Sequence, residues 1–236
     1  MTTADESRLP ELETVQKKPS LILESAALTS LVVAVLSLFL FAWIADGVSH
    51  DRTAGFDLAI RTQVHGYASP GLTKAMIAIS FLGGNGLTAA AILSVIVFLL
   101  LRWRRAALWM VVTILGALVL DLSLKYAFHR PRPVPFFVAV PHTYSFPSGH
   151  SLFSFCFYGV LAGVLAGRIQ SRLGRVLIWT FAAVLVAAIG LSRIYLGVHY
   201  PSDVIAGYLA ASLWVSTLVA LDRVRTERKS APGTGA

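Results

Sequence analysis

The run AALTSLVVAVLSLFLFAWIA, Ala26–Ala45, is 20 residues long and carries no charged side chain. A helix needs about 20 mostly apolar residues to cross a bilayer, so this run predicts a transmembrane helix. Residues 1–20 before it are polar and hold both signs of charge, unlike a signal peptide. The apolar run is also too long for the hydrophobic region of a signal peptide, so we expect an uncleaved first span.

Composition extends this prediction to the whole chain of 236 residues, of which 56% are hydrophobic and only 14% are charged. Soluble domains average about 25% charged residues, so the chain is predicted to be one integral membrane domain. Four further runs are apolar enough to span a membrane, alone or with their neighbours. These are Ala106–Leu124, which contains Asp121, and Leu152–Gly167, Val176–Leu191 and Val204–Leu221.

Residues 75–101 are open to three interpretations, because a GGNG break divides two apolar halves. They can form one broken span, two spans, or an interfacial helix followed by a span, and we favour the last. Just before them, Phe56, Ile60 and Val64 recur every four residues, which predicts a short helix along the membrane surface. The predicted fold is an all-α polytopic membrane bundle of six transmembrane helices plus short interfacial helices.

Charge predicts the orientation of this bundle. With six spans, both termini and the turns at 102–105 and 168–175 share one side, which holds 13 of the 20 Lys and Arg residues. The positive-inside rule makes that side cytoplasmic, in the plasma membrane. We place the membrane domain at residues 21–223, with disordered cytoplasmic tails at 1–20 and 224–236. This asymmetry also explains the net charge of +8, and we expect no nucleic-acid partner.

Three polar segments fall on the extracytoplasmic side, as do all six histidines. They are KYAFHRPRP (Lys125–Pro133), PSGH (Pro147–His150) and SRIYLGVHYPSD (Ser192–Asp203). Lys125, Arg132 and Arg193 can each be interpreted as a cation that snorkels to the interface. Three such cations on this side oppose the positive-inside rule, however, and a bound phosphate would explain them.

The PSGH segment has the residues of an anion site. Pro147 suits a first helical turn, so Ser148 and Gly149 would present backbone N–H groups at a helix N-terminus. His150 would place a titratable group beside them. The alternative is an ordinary helix start that Ser148 caps.

Two carboxylates are expected to act through a neighbour. Asp203 falls in the predicted first turn of the last helix and can orient His199, although it can also serve only as a helix-dipole residue. Asp121 is costly inside a span and lies four residues before Lys125, on the same helix face. We expect it to pair with Lys125 and preset that side chain; the alternative is a polar residue beside a wet cavity.

The spacing of the three segments resembles the three-part motif of the type-2 phosphatidic acid phosphatase family. Lys125 is followed by six residues and Arg132-Pro133, and PSGH comes next. Ser192-Arg193 is followed by five residues and His199, and Asp203 comes after three more. All three parts match without a substitution, and the resemblance covers about residues 50–222. That superfamily includes undecaprenyl-diphosphate phosphatases, phosphatidylglycerophosphate phosphatases and vanadium-dependent haloperoxidases.

The resemblance implies a mechanism without a metal or other cofactor. His199 would attack phosphorus and form a phosphohistidine, while Asp203 orients it and stabilises the imidazolium. His150 would protonate the leaving oxygen and then act as a base toward water. The residues implied to hold the phosphoryl oxygens are Lys125, Arg132, Arg193, Ser148 and Gly149.

Three functions agree with these residues. The first is a membrane lipid phosphatase, with undecaprenyl diphosphate favoured by family analogy over phosphatidylglycerophosphate or phosphatidate. The second is a haloperoxidase-like vanadate enzyme, which six spans disfavour. The third is a non-enzymatic lipid-binding or transport relative, which would be expected to lack the nucleophile.

Residues beside the motifs are expected to have simpler roles. His129 is expected to face the interface, and Arg130 to add generic positive charge. Cys156 is the only cysteine, so no intrachain disulfide is possible, and it is expected to pack in the bundle. Four aromatic residues are expected in an interfacial belt: Tyr144, Phe146, Phe136 and Phe137.

Overall fold

The computed structural model describes residues 21–139 and 142–230, and within these ranges the chain is all-helical. The predicted fold class is therefore confirmed. The helices are α1 (Leu21–Ser49), α2 (Ala54–His65), α3 (Pro70–Phe81), α4 (Asn85–Leu100), α5 (Arg104–Phe128), α6 (Gly149–Ala166), α7 (Arg172–Tyr195) and α8 (Pro201–Ser230).

Six segments of the described chain are long and apolar enough to cross a membrane, which is the predicted number. Five of them are α1, α5, α6, α7 and α8, and the sixth combines α3 with α4. Helix α6 packs against α5, α7 and α8, and α1 packs along α8. The ends of α5 and α7 and the starts of α6 and α8 meet at one end of the bundle, which we name the site end.

The broken segment Pro70–Leu100 differs from the interpretation favoured above. Helices α3 and α4 have 12 and 16 residues, and Leu82–Gly84 separates them. At 1.5 Å per residue they are about 18 Å and 24 Å long, less than the roughly 30 Å hydrocarbon core. Together they make a 31-residue candidate span. Neither helix is long enough alone, so the structure favours one broken span over an interfacial helix followed by a span.

Helix α2 forms where a short helix was predicted, but its buried side is polar. Asp57 is only 1% exposed, whereas Phe56 is 49% exposed and Leu58 is also on the surface. Phe56 and Leu58 therefore point away from the protein, as suits a helix that borders lipid, whereas Val64 packs against the buried cluster of Tyr195, Leu196 and Val198. The polar face of α2 packs against α7 and α8 at the site end.

Small residues let the spans approach closely. A Cβ at Gly116 would come within 2.0 Å of the Trp214 ring, and one at Gly190 within 2.0 Å of the Tyr208 hydroxyl. The interior between α5, α6 and α8 contains Ala117, Ala206, Ala210 and other small residues, while large apolar side chains cover the outside. Such an arrangement is typical of helices that associate in lipid, where apolar surface need not be buried.

The last helix is longer than predicted. Helix α8 continues to Ser230, seven residues beyond the predicted boundary at 223. Arg and Glu residues favour helix here, and Asp222 accepts a hydrogen bond of 2.5 Å from Arg105 on α5. The predicted tail is thus helical over 224–230, while its remainder and the predicted tail at 1–20 lie outside the described residues.

Candidate active site

A cavity of about 550 Å³ at the site end is bordered by six of the residues that the sequence singled out. The six come from the end of α5, the start of α6, the end of α7 and two loops: Lys125, Arg132, Gly149, His150, Arg193 and His199. The other three predicted residues lie behind this wall: Asp121, Ser148 and Asp203. The fold therefore brings together residues that are up to 82 positions apart (121 to 203) in the chain.

The histidine–carboxylate pair is built by the start of α8. Asp203 lies in the first turn of this helix, and its Oδ2 is 3.3 Å from His199 Nδ1. The same oxygen accepts hydrogen bonds from the Tyr200 N–H, at 2.9 Å, and from the Ser145 hydroxyl. On the other side of the ring, Arg132 lies 2.9 Å from His199 Nε2. Because arginine can only donate, Nε2 carries the lone pair and Nδ1 carries the proton.

His199 is neutral under ordinary conditions. Burial lowers the pKa of His199 from 6.5 to about 4; the hydrogen bond and charge of Asp203 oppose this, whereas the charges of Arg132 and Arg193 add to it. A neutral imidazole with an unprotonated Nε2 facing a cavity has the form that a nucleophile or base requires.

The PSGH segment differs in one respect from the prediction. Helix α6 begins at Gly149, and Ser148 is its N-cap, accepting from the Ser151 N–H at 3.4 Å. The Ser148 N–H donates to the Asp203 carbonyl at 2.9 Å, so it does not face an anion. This bond instead joins the start of α6 to the start of α8. A predicted N–H contact to phosphate can then come from Gly149 but not from the Ser148 backbone.

Glycines bring the cavity walls close to one another. A Cβ at Gly149 would come within 3.0 Å of Asp121 Oδ1 and 3.2 Å of Lys125 Nζ. Similarly, a Cβ at Gly84 would come within 3.0 Å of His150 Nε2. The break between α3 and α4 thus provides the space that the His150 ring occupies.

Each of the three predicted cations is held in place by different partners. Lys125 forms a buried ion pair with Asp121, as the four-residue spacing predicts. Arg193 donates to the Ser80 hydroxyl on α3, and its Nε is buried with no partner among the described residues. Arg132 donates to the Thr143 carbonyl at 2.7 Å and the Val198 carbonyl at 2.9 Å. All three cations border the cavity, so an anion that entered it would meet side chains that are already held in place.

The same cavity is apolar on its other side. Between α4, α5 and α6 its wall is formed by Leu87, Ala91, Ile92, Ile114, Leu118 and Phe153. A second cavity of about 300 Å³ shares Ala91, Ile92 and Ile114 and continues between α4 and α5, lined only by apolar residues. We name this continuous surface the α4–α5 groove. It leads from the cations toward the opposite end of the bundle.

Three residues near the site were missed or misinterpreted from the sequence. Arg130, expected to add generic charge, instead bridges two buried carboxylates, Asp203 at 2.6 Å and Asp57 at 2.8 Å. Ser145 and Asp57 carried no local pattern that marks a site. Their contacts join residues 58 and 73 positions apart, and spacing along one chain does not reveal such pairs.

Of the four aromatic residues predicted for an interfacial belt, Tyr144 and Phe136 are exposed but Phe146 is not. Phe146 is fully buried and packs against Phe41 and Phe128, so it belongs to the core rather than the interface. Phe136 stacks on His65 of α2, and Phe137 on Tyr195 of α7.

Within the described residues, no group of three or more His, Cys, Asp or Glu side chains is placed to hold a metal ion.

The fold and this site together define a polytopic helical membrane protein with a cationic, histidine-containing cavity at one end of its spans. The chain belongs to the PAP2 superfamily, whose family model matches residues 106–227. A phosphatidylglycerophosphatase B of Bacillus subtilis is 30% identical over 180 residues, which are 73% of this chain and 87% of that protein. An undecaprenyl-diphosphatase of Sulfolobus acidocaldarius is 35% identical over 123 residues, 50% of this chain and 55% of that protein.

A solved structure supports the same membership. The crystal structure of a transmembrane PAP2-type phosphatidylglycerolphosphate phosphatase from Bacillus subtilis matches with a TM-score of 0.73 and 25% sequence identity. The match covers 85% of this chain and 98% of that chain. The arrangement of the six spans is therefore that of a PAP2 membrane phosphatase.

Proposed function

We propose that this protein is a membrane lipid phosphatase that hydrolyses a lipid phosphomonoester or diphosphate through a phosphohistidine, without a metal. This proposal rests on one observation. His199 and the three cations line a cavity whose other side continues into the α4–α5 groove. A phosphate group would occupy the cationic end, and a lipid chain would extend along the groove between the two helices. Membership of a phosphatase family supports the reaction class.

In the first step, His199 Nε2 attacks phosphorus. The P–N bond forms as the P–O bond to the lipid breaks, and His150 gives its proton to the leaving oxygen. A phosphate oxygen that accepts from Arg132 would replace Nε2 as its partner, which frees the lone pair for attack. Asp203 holds the Nδ1 proton and stabilises the positive charge that develops on the ring.

In the second step, His150 takes a proton from water, whose oxygen attacks the phosphohistidine. The P–N bond breaks, inorganic phosphate is released and His199 becomes neutral again. Lys125, Arg132 and Arg193 surround the phosphoryl oxygens in both steps and stabilise the charge of the transition state. Because these groups are held by Asp121, Thr143 and Ser80, little reorganisation is needed when the phosphate arrives.

Undecaprenyl diphosphate is the first substrate to test. A second candidate is phosphatidylglycerophosphate, which is favoured by the greater share of both chains in the alignment with the phosphatidylglycerophosphatase B. Both lipids present a terminal phosphate on a long apolar body, and the groove is suited to that shared chemistry.

The site is proposed to face the extracytoplasmic side of the plasma membrane, with both termini in the cytoplasm. Arginines at the end opposite the site support this orientation through the positive-inside rule. A membrane-impermeant maleimide should label His142→Cys in intact cells. It should label Arg104→Cys only after permeabilisation, and the reverse pattern would invert the proposed orientation.

The deciding experiment measures phosphate release by purified protein in detergent with excess EDTA. Undecaprenyl diphosphate, phosphatidylglycerophosphate and phosphatidate are compared, with His199→Ala as the control. We expect release that persists in EDTA and falls by at least ~10⁴-fold in the variant. A radiolabelled terminal phosphate should remain on wild-type protein after an alkaline quench, and not on His199→Ala.

Three outcomes would contradict the proposal. Loss of release in EDTA that Mg²⁺ restores would exclude the metal-free route. Peroxide-dependent halide oxidation with added vanadate, without lipid hydrolysis, would favour the haloperoxidase-like alternative. Lipid translocation that survives His199→Ala, in a protein that releases no phosphate, would favour the non-enzymatic alternative.

A further inference from the structure

A second layer of charged residues lies behind His199 and Asp203. Asp203 uses its two oxygens differently: Oδ2 faces His199, and Oδ1 accepts a 2.6 Å hydrogen bond from Arg130. The other nitrogen of the same guanidinium donates to Asp57 Oδ2 at 2.8 Å. Arg130 thus connects a carboxylate of α2 to the carboxylate that orients His199.

Asp57 closes this connection into a ring. Besides Arg130, it accepts from the Ser202 N–H at 2.9 Å and the Ser202 hydroxyl at 2.7 Å. Arg130 also donates to that hydroxyl at 2.8 Å and lies over the Tyr200 ring, 4.1 Å from its centroid. The four side chains Asp57, Arg130, Ser202 and Asp203 therefore fix one another at the first turn of α8.

The charges in this ring are well compensated. Burial would lower the pKa of Arg130, but Asp203 and Asp57 outweigh it and raise the pKa, so the guanidinium stays charged. A buried ion pair rarely adds net stability compared with apolar packing, because desolvation offsets the attraction. Its presence beneath a reactive histidine, rather than elsewhere in the bundle, points to orientation as its role.

The face of α2 that carries Asp57 contacts both loops of the site. Arg61, one turn further, donates to the Val134 carbonyl at 2.9 Å and the Gly197 carbonyl at 3.4 Å. His65, another turn further, stacks on Phe136. Neither Asp57 nor Arg130 borders the cavity, so neither is placed to touch a phosphate.

We infer that Asp57 and Arg130 are positioning residues, which act on phosphoryl transfer only by holding Asp203 toward His199. This inference rests on the proposed function. Without Arg130, Oδ1 of Asp203 loses its partner and the carboxylate can rotate away from His199. Without the charge of Asp57, Arg130 and the first turn of α8 lose a shared anchor. Both changes leave the phosphate-binding cations in place.

Kinetics would test the inference with Arg130→Gln, Arg130→Lys and Asp57→Asn. We expect kcat to fall about 100-fold in Arg130→Gln, since small misplacements of reacting groups have effects of this size. Asp57→Asn should lower kcat about 10-fold, as loss of an outer partner commonly does, and Arg130→Lys should recover part of the activity. KM and the inhibition constant of orthovanadate should stay within about twofold, because the cavity walls are unchanged.

The matched control is Arg52→Gln, which removes a similar charge from an exposed ion pair with Asp46 just before α2. It should leave kcat, KM and the melting temperature unchanged. A double-mutant cycle gives a further readout: in the Asp203→Asn background, Arg130→Gln should have little additional effect, because it acts through Asp203. Additive losses, or losses mainly in KM, would overturn the inference.

A measurement independent of turnover separates this inference from the proposed function. In protein labelled with ¹⁵N-histidine, the Nδ1–H proton of His199 should be shifted downfield in wild type by its hydrogen bond to Asp203. In Arg130→Gln this signal should move upfield, because the bond to Asp203 weakens while Arg132 still faces Nε2. If this difference between wild type and variant is seen but the wild type hydrolyses no lipid, the proposed function is wrong and the positioning role stands. If the wild type hydrolyses lipid but the variants keep both kcat and the Nδ1–H signal, the positioning role is wrong and the proposed function stands.

Discussion

Arginines occur at both ends of the bundle, in opposite environments. At the site end, Arg193 is buried, borders the cavity and donates to the Ser80 hydroxyl. At the other end, Arg105 has a 69% exposed side chain and pairs with Asp222 on the surface. An exposed pair contributes little energy because water screens it, whereas buried donors in a cavity act strongly on charge. We therefore expect arginine to set the orientation in the membrane at one end and to bind phosphate at the other.

The largest difference between the two ends should appear when these arginines are exchanged for glutamine. Arg193→Gln should lower kcat/KM by roughly 10²–10³-fold, as removal of one oxyanion donor does. Arg105→Gln should leave it within about twofold, since an exposed pair is weak. Phosphate release from the best lipid substrate measures both. Equal effects at the two ends would show that Arg193 has no special role in binding phosphate.

The carboxylate partners of the cations offer a second test. Asp121→Asn should lower kcat/KM about 10-fold, because Lys125 loses the charge that holds it beside Gly149. Asp222→Asn, which makes the same change in the exposed pair, serves as the control and should have no effect on turnover. Unchanged activity and unchanged vanadate affinity in Asp121→Asn would mean that the Lys125 side chain does not depend on Asp121 for its position.

The pH dependence tests whether burial controls His199. The free base is the nucleophilic form, and the pKa is lowered to about 4, so protonation removes activity only when the pH falls toward that value. We expect the acid limb of kcat/KM that belongs to His199 near pH 4, with full activity retained through pH 6. Dependence of this limb on a pKa near 6.5 would mean that the ring is solvated like an exposed histidine.

The smallest expected effect comes from the glycine that faces His150. Gly84→Ala adds a methyl group 3.0 Å from His150 Nε2 and should lower kcat about fivefold by displacing the ring. The control, Gly159→Ala on α6, meets no atom within 4 Å and should stabilise the protein by about 0.5–1 kcal/mol. Activity and melting temperature are measured for both. If Gly84→Ala is as active as wild type, the His150 ring can move aside without loss of activity.

The local features of this protein could be predicted from sequence because their causes are local. Twenty uncharged apolar residues predict the first span on length alone, and six segments of the described chain are long and apolar enough to cross a membrane. Asp121 and Lys125 meet because four residues make about one helical turn. His199 and Asp203 share the same spacing, and Pro201 between them begins the helix. The resemblance of three short motifs then indicated which residues would share a cavity.

Features that depend on packing between distant segments were missed. Phe56, Ile60 and Val64 predicted a helix along the membrane surface, but they gave no sign that Asp57 on this helix is buried against α7 and α8. Ser148 donates its N–H to Asp203 of another helix, which no pattern within PSGH reveals. Arg130 was assigned generic charge for the same reason, since its partners are 73 residues away on either side.

By itself, then, the sequence determined the helical class, the number of spans, the asymmetry of charge and the set of motif residues. Each follows from composition or from spacings of one helical turn. Only the tertiary structure decided which N–H groups remain available in the cavity, where the α4–α5 groove leads, and that Asp57 and Arg130 lie behind Asp203. These depend on close packing of segments far apart in the chain, and such contacts arise only once the helices have assembled.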